Sequence, residues 1–287
     1  MLTLQEILRH TRTEQHAIGH FNISNLDMFR GIMEGAKAVN ASAVMIGTSE
    51  GEAAFIGRRQ ALALTESMRD EYGIIIYLNA DHHKSVAAAK EAIDAGYTSI
   101  HIDLSKEPYE KNLAGVKEVV DYAKSKNPAI SVEGELGYLP TDSSKIYDET
   151  VSIPEGSLTQ PEEAAVFVKE TGIDRFAAAI GNLHGIAANE PQLDFERIKA
   201  IKDALPEDVA LVLHGGSGIP LGHIKEAIAL GMNNVHVSTE LRVAYITTLR
   251  KAFAENEEET TPYKLFPPGI EAIKNIVKEK ITLFTGK

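Results

Sequence analysis

The sequence predicts an α/β protein with a (β/α)8 barrel fold, and three observations carry that prediction. Short β-rich runs alternate with longer stretches of helical period along the whole chain, which is the pattern of repeated βα units around a parallel sheet. The runs number eight. Four of them end directly in polar, chemistry-bearing residues, as expected where a barrel gathers its site at the C-terminal ends of its strands. The expected strands are Ala17 to Asn22, Ser42 to Gly47, Ile74 to Ala80, Thr98 to Asp103, Ile130 to Glu135, Arg175 to Ile180, Val209 to Leu213 and Asn234 to Val237.

Between the third and fourth runs, Val86, Ala89, Ala92 and Ile93 share one helical face while Lys90, Glu91 and Asp94 share another, so an outer-ring helix is expected over Ser85 to Ala95. Gly96 is placed to end it in a left-handed conformation. Thr159-Gln160-Pro161-Glu162 has the form of a capping box with an early proline, and a helix through Ala164, Val168 and Lys169 is expected from it. That leaves Gly137 to Leu158 as a long connection after the fifth strand, a candidate lid. An acidic turn over Glu255 to Thr261 precedes a last helix expected from about Pro268 to Lys280. With no tandem repeat and no composition break, the 287 residues read as one barrel domain with a C-terminal helical extension.

Hydrophobic residues at 44% and charged residues at 24% fit a chain that buries a large core. A formal charge of -12 makes nucleic acid and anionic membrane poor partners. There is no cysteine, which removes disulfides, thiolate ligands and a thiol nucleophile and leaves His and carboxylate to hold a transition metal. The opening residues lack the pattern of a signal peptide, and no segment reaches the ~20 apolar residues of a membrane span. A cytoplasmic location is expected.

The polar strand ends are Asp81-His82-His83 after the third run, Glu133-Gly134-Glu135 in the fifth, His184-Gly185 after the sixth, and His214-Gly215-Gly216-Ser217-Gly218 after the seventh. Three histidines from three strand ends can converge on one zinc ion as neutral imidazoles and leave a coordination position open. His82 and His83 should face opposite ways, so only one of them can join that set. Gly215 to Gly218 and Val237-Ser238-Thr239 follow the last two strands, where barrels commonly bind phosphate through backbone N–H groups and a helix N-terminus.

At these residues the sequence resembles the class II fructose-bisphosphate and tagatose-bisphosphate aldolases over nearly its whole length. The matching pieces are Phe21-Asn22, Asp81-His82, Ile102-Asp103-Leu104-Ser105, Glu133 to Gly137, Gly181 to Gly185, Leu213 to Gly218 and Ser238-Thr239, in the family's order. The resemblance implies that His82, His184 and His214 hold a catalytic zinc ion, with Glu135 as a ligand in an alternative metal position and a monovalent cation as a second candidate ion. It implies that Asp81 exchanges a proton at the bond being broken. Gly185, Gly215, Ser217, Ser238 and Thr239 would cradle a phosphate, with Asn22, Ser49 and Asp103 flanking the substrate or the ligands. The partner it implies is a small sugar phosphate, and the assembly a homodimer or tetramer.

Four positions depart from the family pattern. The asparagine of the last strand is His236, and the lysine expected after the second zinc histidine has no counterpart in Ile186 to Pro191. The phosphate-binding arginine near the C-terminus is missing around Thr261 to Leu265, with Lys264 and Lys106 as candidate replacements. The lid glycines and glutamates become Pro140-Thr141-Asp142-Ser143, leaving Asp142 as the candidate lid carboxylate. The competing functions are a zinc hydrolase on the same barrel, with Asp81 activating water, an aldolase-like barrel acting on a monophosphate or unphosphorylated sugar, and a silent ligand-binding barrel. Retention of Asp81 with all three histidines and the glycine-rich cradle favours the aldolase.

Overall fold

Eight parallel strands close on themselves in the computed structural model, which describes residues 2–286 except 140, 143, 190 and 191. Pro140 and Ser143 of the lid motif, and Glu190-Pro191 after the second histidine, therefore lie outside the described residues. Helix α1 (Leu4–Thr13) leads into β1 (Ile18–Asn22), α2 (Leu26–Ala38), β2 (Ala43–Ser49), α3 (Glu50–Ile56) and α4 (Arg58–Tyr72). There follow β3 (Ile75–His83), α5 (Val86–Asp94), β4 (Ser99–Ile102), α6 (Tyr109–Lys126) and β5 (Ser131–Leu136). The long connection carries the short β6 (Ile146–Tyr147) before α7 (Pro161–Thr171), β7 (Arg175–Ala178), β8 (Ile186–Ala187), α8 (Phe195–Ala204), β9 (Ala210–Leu213) and α9 (Leu221–Ala229). Strand β10 (Met232–Val237) and helices α10 (Thr239–Glu255), α11 (Pro262–Leu265) and α12 (Pro267–Phe284) complete the described chain. The barrel order is β1-β2-β3-β4-β5-β7-β9-β10, closed where Ile18 of β1 sits opposite Asn234 of β10. Strands β6 and β8 form a separate parallel pair that ties the lid to the loop after His184.

All eight expected strands form, most within two residues of their expected ends. The largest departure is β3, which continues through Asp81 and His82 to His83. Its register against β4 shifts between Ala80 and His83, and His82 takes a left-handed φ of 48°. This bulge re-aims His82 while His83 is buried on the other side. Helix α5 is capped by Ser85, which accepts from the Ala88 N–H, and Gly96 has φ 100° as expected. The capping box at Thr159 does not form. Gln160 is the N-cap of α7 and makes no side-chain cap bond. The Thr159 hydroxyl instead donates to Leu136 O and accepts from Ala179 N, where it ties the ends of β5 and β7 together. The last helix is longer than expected, running to Phe284.

Two layers make the core. Outward-facing residues such as Ile76, Leu78, Ile100, Val132, Phe176, Leu211 and Val235 pack under the helices. At the N-terminal end of the barrel, α1 plugs the opening with Leu4, Ile7 and Leu8 against Ile18, Met45, Tyr77 and Ala210. Thr3 and Glu6 give α1 a reciprocal capping box. The barrel interior is polar. Alternating inward positions carry His20 and Asn22, Asn79 and Asp81, Ser99 and His101, Ser131, Glu133 and Glu135, Arg175, Asn234 and His236, all of them buried.

Helix α12 lies against α2 at a glycine seam. A Cβ added at Gly31 would fall 2.7 Å from Ile270 O and 2.7 Å from the Ile273 Cβ, and one at Gly35 would fall 2.8 Å from Lys274 O. Because backbone on α12 makes the contact, the helices must separate to admit a methyl group. Gly31→Ala should therefore destabilise the fold by roughly 1–3 kcal/mol despite alanine's better helix propensity. Denaturant midpoints of the two proteins check this, and an equal or higher midpoint for the variant would show that the seam has slack.

Candidate active site

The bulge in β3 brings Asp81 and His82 to the mouth of the barrel, where the other strands supply their partners. His82 Nδ1 lies 2.8 Å from Asp103 Oδ2, and Asp103 is itself held by the Ser105 hydroxyl at 2.6 Å. His214 Nε2 lies 2.7 Å from Glu133 Oε1. Each carboxylate is placed to take the N–H of one ring nitrogen. The other ring nitrogens, His82 Nε2 and His214 Nδ1, share a hydrogen bond of 3.1 Å. His184 completes the group, its ring centroid 4.8 Å from that of His82 and 5.9 Å from that of His214. Its Nε2 is buried with no hydrogen-bond partner.

The turn that presents His184 is pinned locally. Gly181 has φ 95°, and a Cβ there would fall 2.2 Å from Gln192 O. Asn182 accepts from the Ile180 N–H and donates to His214 O at 2.9 Å each, so the two histidine loops are tied to one another.

Three imidazoles, two of them oriented by carboxylates, are of the donor type that suits a divalent metal ion. Ligand nitrogens on a tetrahedral ion at Zn–N ≈ 2.0–2.1 Å stand roughly 3.3 Å apart. His82 and His214 meet that spacing at 3.1 Å; among the described residues, ligand atoms of Asp81, His82, His101 and His214 lie within 4.8 Å of one another, with His184 outside that group. The electrostatics keep two of the three rings neutral. Burial pushes His184 down to about 3, helped by the neighbouring His82, and pushes His214 well below its ordinary value, so both stay neutral and able to coordinate. Burial acts on His82 in the same direction, but Asp81, the hydrogen bond to Asp103, and Glu135 outweigh it and raise the ring to about 10. The pocket around that ring is built for positive charge. Glu135 faces the same space, its unpartnered Oε2 3.9 Å from His82 Nδ1 and 3.4 Å from His101 Nε2.

Asp81 is buried beside these rings. Burial alone would raise its carboxyl, yet the charge of His82 and the hydrogen bond from His236 hold it well below the usual carboxylate range. Its Oδ2 accepts from Asn22 Nδ2 at 2.9 Å, and the same amide donates to Glu52 at 3.0 Å. His236 Nδ1 stands 3.4 Å from Asp81 Oδ1, and its ring stacks on His20 with centroids 3.6 Å apart.

Gly185, Gly215, Ser217, Ser238 and Thr239 line a recess of ≈ 30 Å³ together with Asn22, Asp81 and the three histidines. Gly215 has φ 67°, and a Cβ there would fall 1.8 Å from Leu183 O, so only glycine lets the two backbones approach so closely. Thr239 opens helix α10, and the Ser238 hydroxyl is buried without a partner. The lid reaches this recess, where Ser144 N donates to the Thr239 hydroxyl at 3.0 Å.

A larger cavity of ≈ 520 Å³ opens outward from the histidines. Ser49, Glu50, Lys84, Ser105, Lys106, Glu107, Asp142 and Arg242 are among its walls. Ser49 also caps α3 in a reciprocal box with Glu52. Asp142 stands exposed at the rim, ion-paired with Lys145 at 2.8 Å. Lys264 is away from the cavity on α11, paired with Glu259 at 2.7 Å.

Inspection of strand ends alone missed His20, Glu52, His101, Arg175 and Arg242, and gave Glu133 no role. The inward alternation Ser99, His101, Asp103 and Ser131, Glu133, Glu135 was the available signal for two of them. Glu52 and Arg242 sit in helices, where no such pattern marks them.

The sequence model of the family described as fructose-bisphosphate aldolase class-II matches residues 2–287. The chain is 36% identical over 287 residues to the fructose-bisphosphate aldolase of Staphylococcus aureus strain Mu50, covering 99% of this chain and 97% of that protein. It is 35% identical over 289 residues to the fructose-bisphosphate aldolase of Geobacillus stearothermophilus, covering 99% and 96%. Among solved structures, the YdjI aldolase from Escherichia coli K12 superposes with a TM-score of 0.83 at 32% identity, over 99% of this chain and 97% of that one.

Proposed function

The chain belongs to the class II fructose-bisphosphate aldolase family, metal-dependent carbon–carbon lyases, and from this premise we propose that it cleaves a ketose phosphate to dihydroxyacetone phosphate and an aldehyde at a zinc centre held by His82, His184 and His214. One observation supports the reading: three imidazoles, the Nε2 of His184 among them without a partner, meet between Asp81 and a glycine-lined recess at a helix N-terminus. As a lyase of this family it is not the hydrolase or the silent barrel that the sequence also allowed.

Zinc bound there supplies Lewis acidity to a ketose carbonyl and stabilises charge left on oxygen when the carbon–carbon bond breaks. The chain's own groups do the rest. Asp103 and Glu133 fix the tautomers of His82 and His214. Glu135 offers a carboxylate oxygen beside the set, for a neighbouring metal position. Asp81, ionised and oriented by the Asn22 amide, accepts the proton of the hydroxyl at the cleaved bond and returns it in the condensation direction. Asp142 is the lid carboxylate available for proton transfer on the other half of the substrate, once the lid carries it inward from the rim.

Gly185, Gly215, Ser217, Ser238 and Thr239 would receive the phosphate through backbone amides, hydroxyls and the α10 N-terminus. The recess is about the volume of one water molecule, so phosphate entry requires Ser144 to leave the Thr239 hydroxyl. The aldehyde half would lie in the outer cavity. There Lys84, Lys106 and Arg242 share the walls with Glu50, Glu107, Asp103 and Asp142, and Arg242 is engaged with Glu52. Mixed charge of this kind does not select a second dianion.

His184→Ala and His214→Ala proteins should each lose most of their zinc by elemental analysis of protein purified without chelator; full occupancy in both would reject the ligand set. Asp81→Asn should keep its zinc and lose turnover by roughly 10²–10⁴-fold, and unchanged turnover would remove Asp81 from its role.

Substrate class is tested by cleavage of fructose and tagatose bisphosphates beside their 1-phosphates. With one charge-assisted contact to the distal phosphate missing, the 1-phosphates should come within about ten-fold of the bisphosphates in kcat/KM. A bisphosphate preference far above that would show that Lys84 or Lys106 binds the second phosphate after all.

A further inference from the structure

We propose that Arg175 is a positioning residue of the metal centre, acting on His214 through Glu133; the proposal rests on the reading of His214 as a ligand. Arg175 is the first residue of β7, and its side chain is wholly buried inside the barrel. Its Nη1 lies 2.6 Å from Glu133 Oε2. The rest of the fork is anchored from four other strands. It donates to Asn234 Oδ1 at 3.1 Å, to Asn79 Oδ1 at 3.2 Å, to Ser99 Oγ at 2.5 Å and to Ser131 Oγ at 3.1 Å.

This arrangement differs from a guanidinium that recognises substrate. Arg175 does not line either space that opens at the site. Among the described residues its one anionic contact is Glu133, whose other oxygen faces His214 Nε2 at 2.7 Å. The three groups form a line from the middle of the barrel to the ring nitrogen that faces His82. Arginine suits the task because its charge survives burial and its planar fork can grip a carboxylate while also satisfying neutral acceptors. With the fork held from β3, β4, β5 and β10, Glu133 has one position, and the His214 ring it accepts from has one tautomer and one tilt. Partners of this kind, one shell out from the ligand, typically change metal affinity ten- to a hundred-fold when removed.

A residue that merely filled the barrel would change stability and leave zinc affinity alone, so the two must be measured separately. Zinc affinity is read by competition with a chromophoric chelator on chelator-stripped protein, and stability by the thermal midpoint of the same stripped protein. Arg175→Met should weaken zinc binding by about ten-fold or more, and Arg175→Lys, which keeps a cation beside Glu133, should recover most of the loss. Glu133→Gln should lose as much as Arg175→Met, and the double variant should bind no more weakly than Glu133→Gln alone, because the arginine acts through the carboxylate. A folded Arg175→Met protein with the parent's zinc affinity overturns the proposal, as do losses that add in the double variant. If Arg175→Met does not fold, Glu133→Gln and Arg175→Lys decide: parental affinity in Glu133→Gln, or a loss in Arg175→Lys as deep as in Glu133→Gln, overturns it. Retention of zinc by His214→Ala would instead take down the ligand assignment beneath it.

Discussion

Ionisable groups placed inside a closed barrel set the terms for the rest of this molecule. Asp81, Glu133, Glu135 and Arg175 are all buried there, and a buried charge is tolerated only when partners meet it at close range. Those partners come from different strands: Asn22 of β1 for Asp81, Asn79, Ser99, Ser131 and Asn234 for Arg175, and His101 of β4 beside both glutamates. A slip of one residue in β5 would send Glu133 into the apolar layer under the helices and Val132 into the polar centre. Strand register and site geometry are thus one constraint. The apolar layer that most barrels place at the centre is replaced here by a hydrogen-bonded one, and the hydrophobic stabilisation comes from the outer layer and from the α1 plug.

The loops express the same economy. The lid does not stand alone, because β6 pairs with β8 just beyond His184, Thr141 donates to His184 O, and Ser144 reaches Thr239 and Arg242. Arg242 in turn holds Glu52, which shares the Asn22 amide with Asp81. The glycine-lined recess, the segment after β5 and Asp81 are therefore joined by hydrogen bonds through residues far apart in sequence. A movement of the lid has a physical route to the Asn22 amide.

The barrel and the three histidines were legible in the sequence because apolar runs of strand length ended in His82, His184 and His214, and because each run stood beside amphipathic helical period. Boundaries failed where tertiary contacts overrode local pattern. The residues Asp81 to His83 look like a loop entrance after an apolar strand, yet a bulge keeps them in the sheet. Thr159 has the spacing of a cap, yet two strand ends offer its hydroxyl stronger partners than a helix N-terminus does. The support beneath the ligands was harder to see. Arg175 opens a strand in a segment whose distinguishing residues lie nine positions later at His184, and nothing local says that its side chain crosses the barrel. Glu52 and Arg242 meet across 190 residues, a pairing that only the closed fold creates.

The seam between α2 and α12 bears on how the chain reaches this state. Ala17, just before the first strand, donates its N–H to Phe284 O, and the glycine face of α2 is covered by a helix that begins at Pro267. During synthesis the β1–α2 unit, with Ile32 and Met33 among its apolar residues, must wait until α12 has emerged. Contacts this distant in sequence form slowly, and the waiting surface is where chaperones or self-association can intervene. The order of translation thus leaves β1 and α2 uncovered across the whole interval up to α12, and the arrival of that helix ends the exposure.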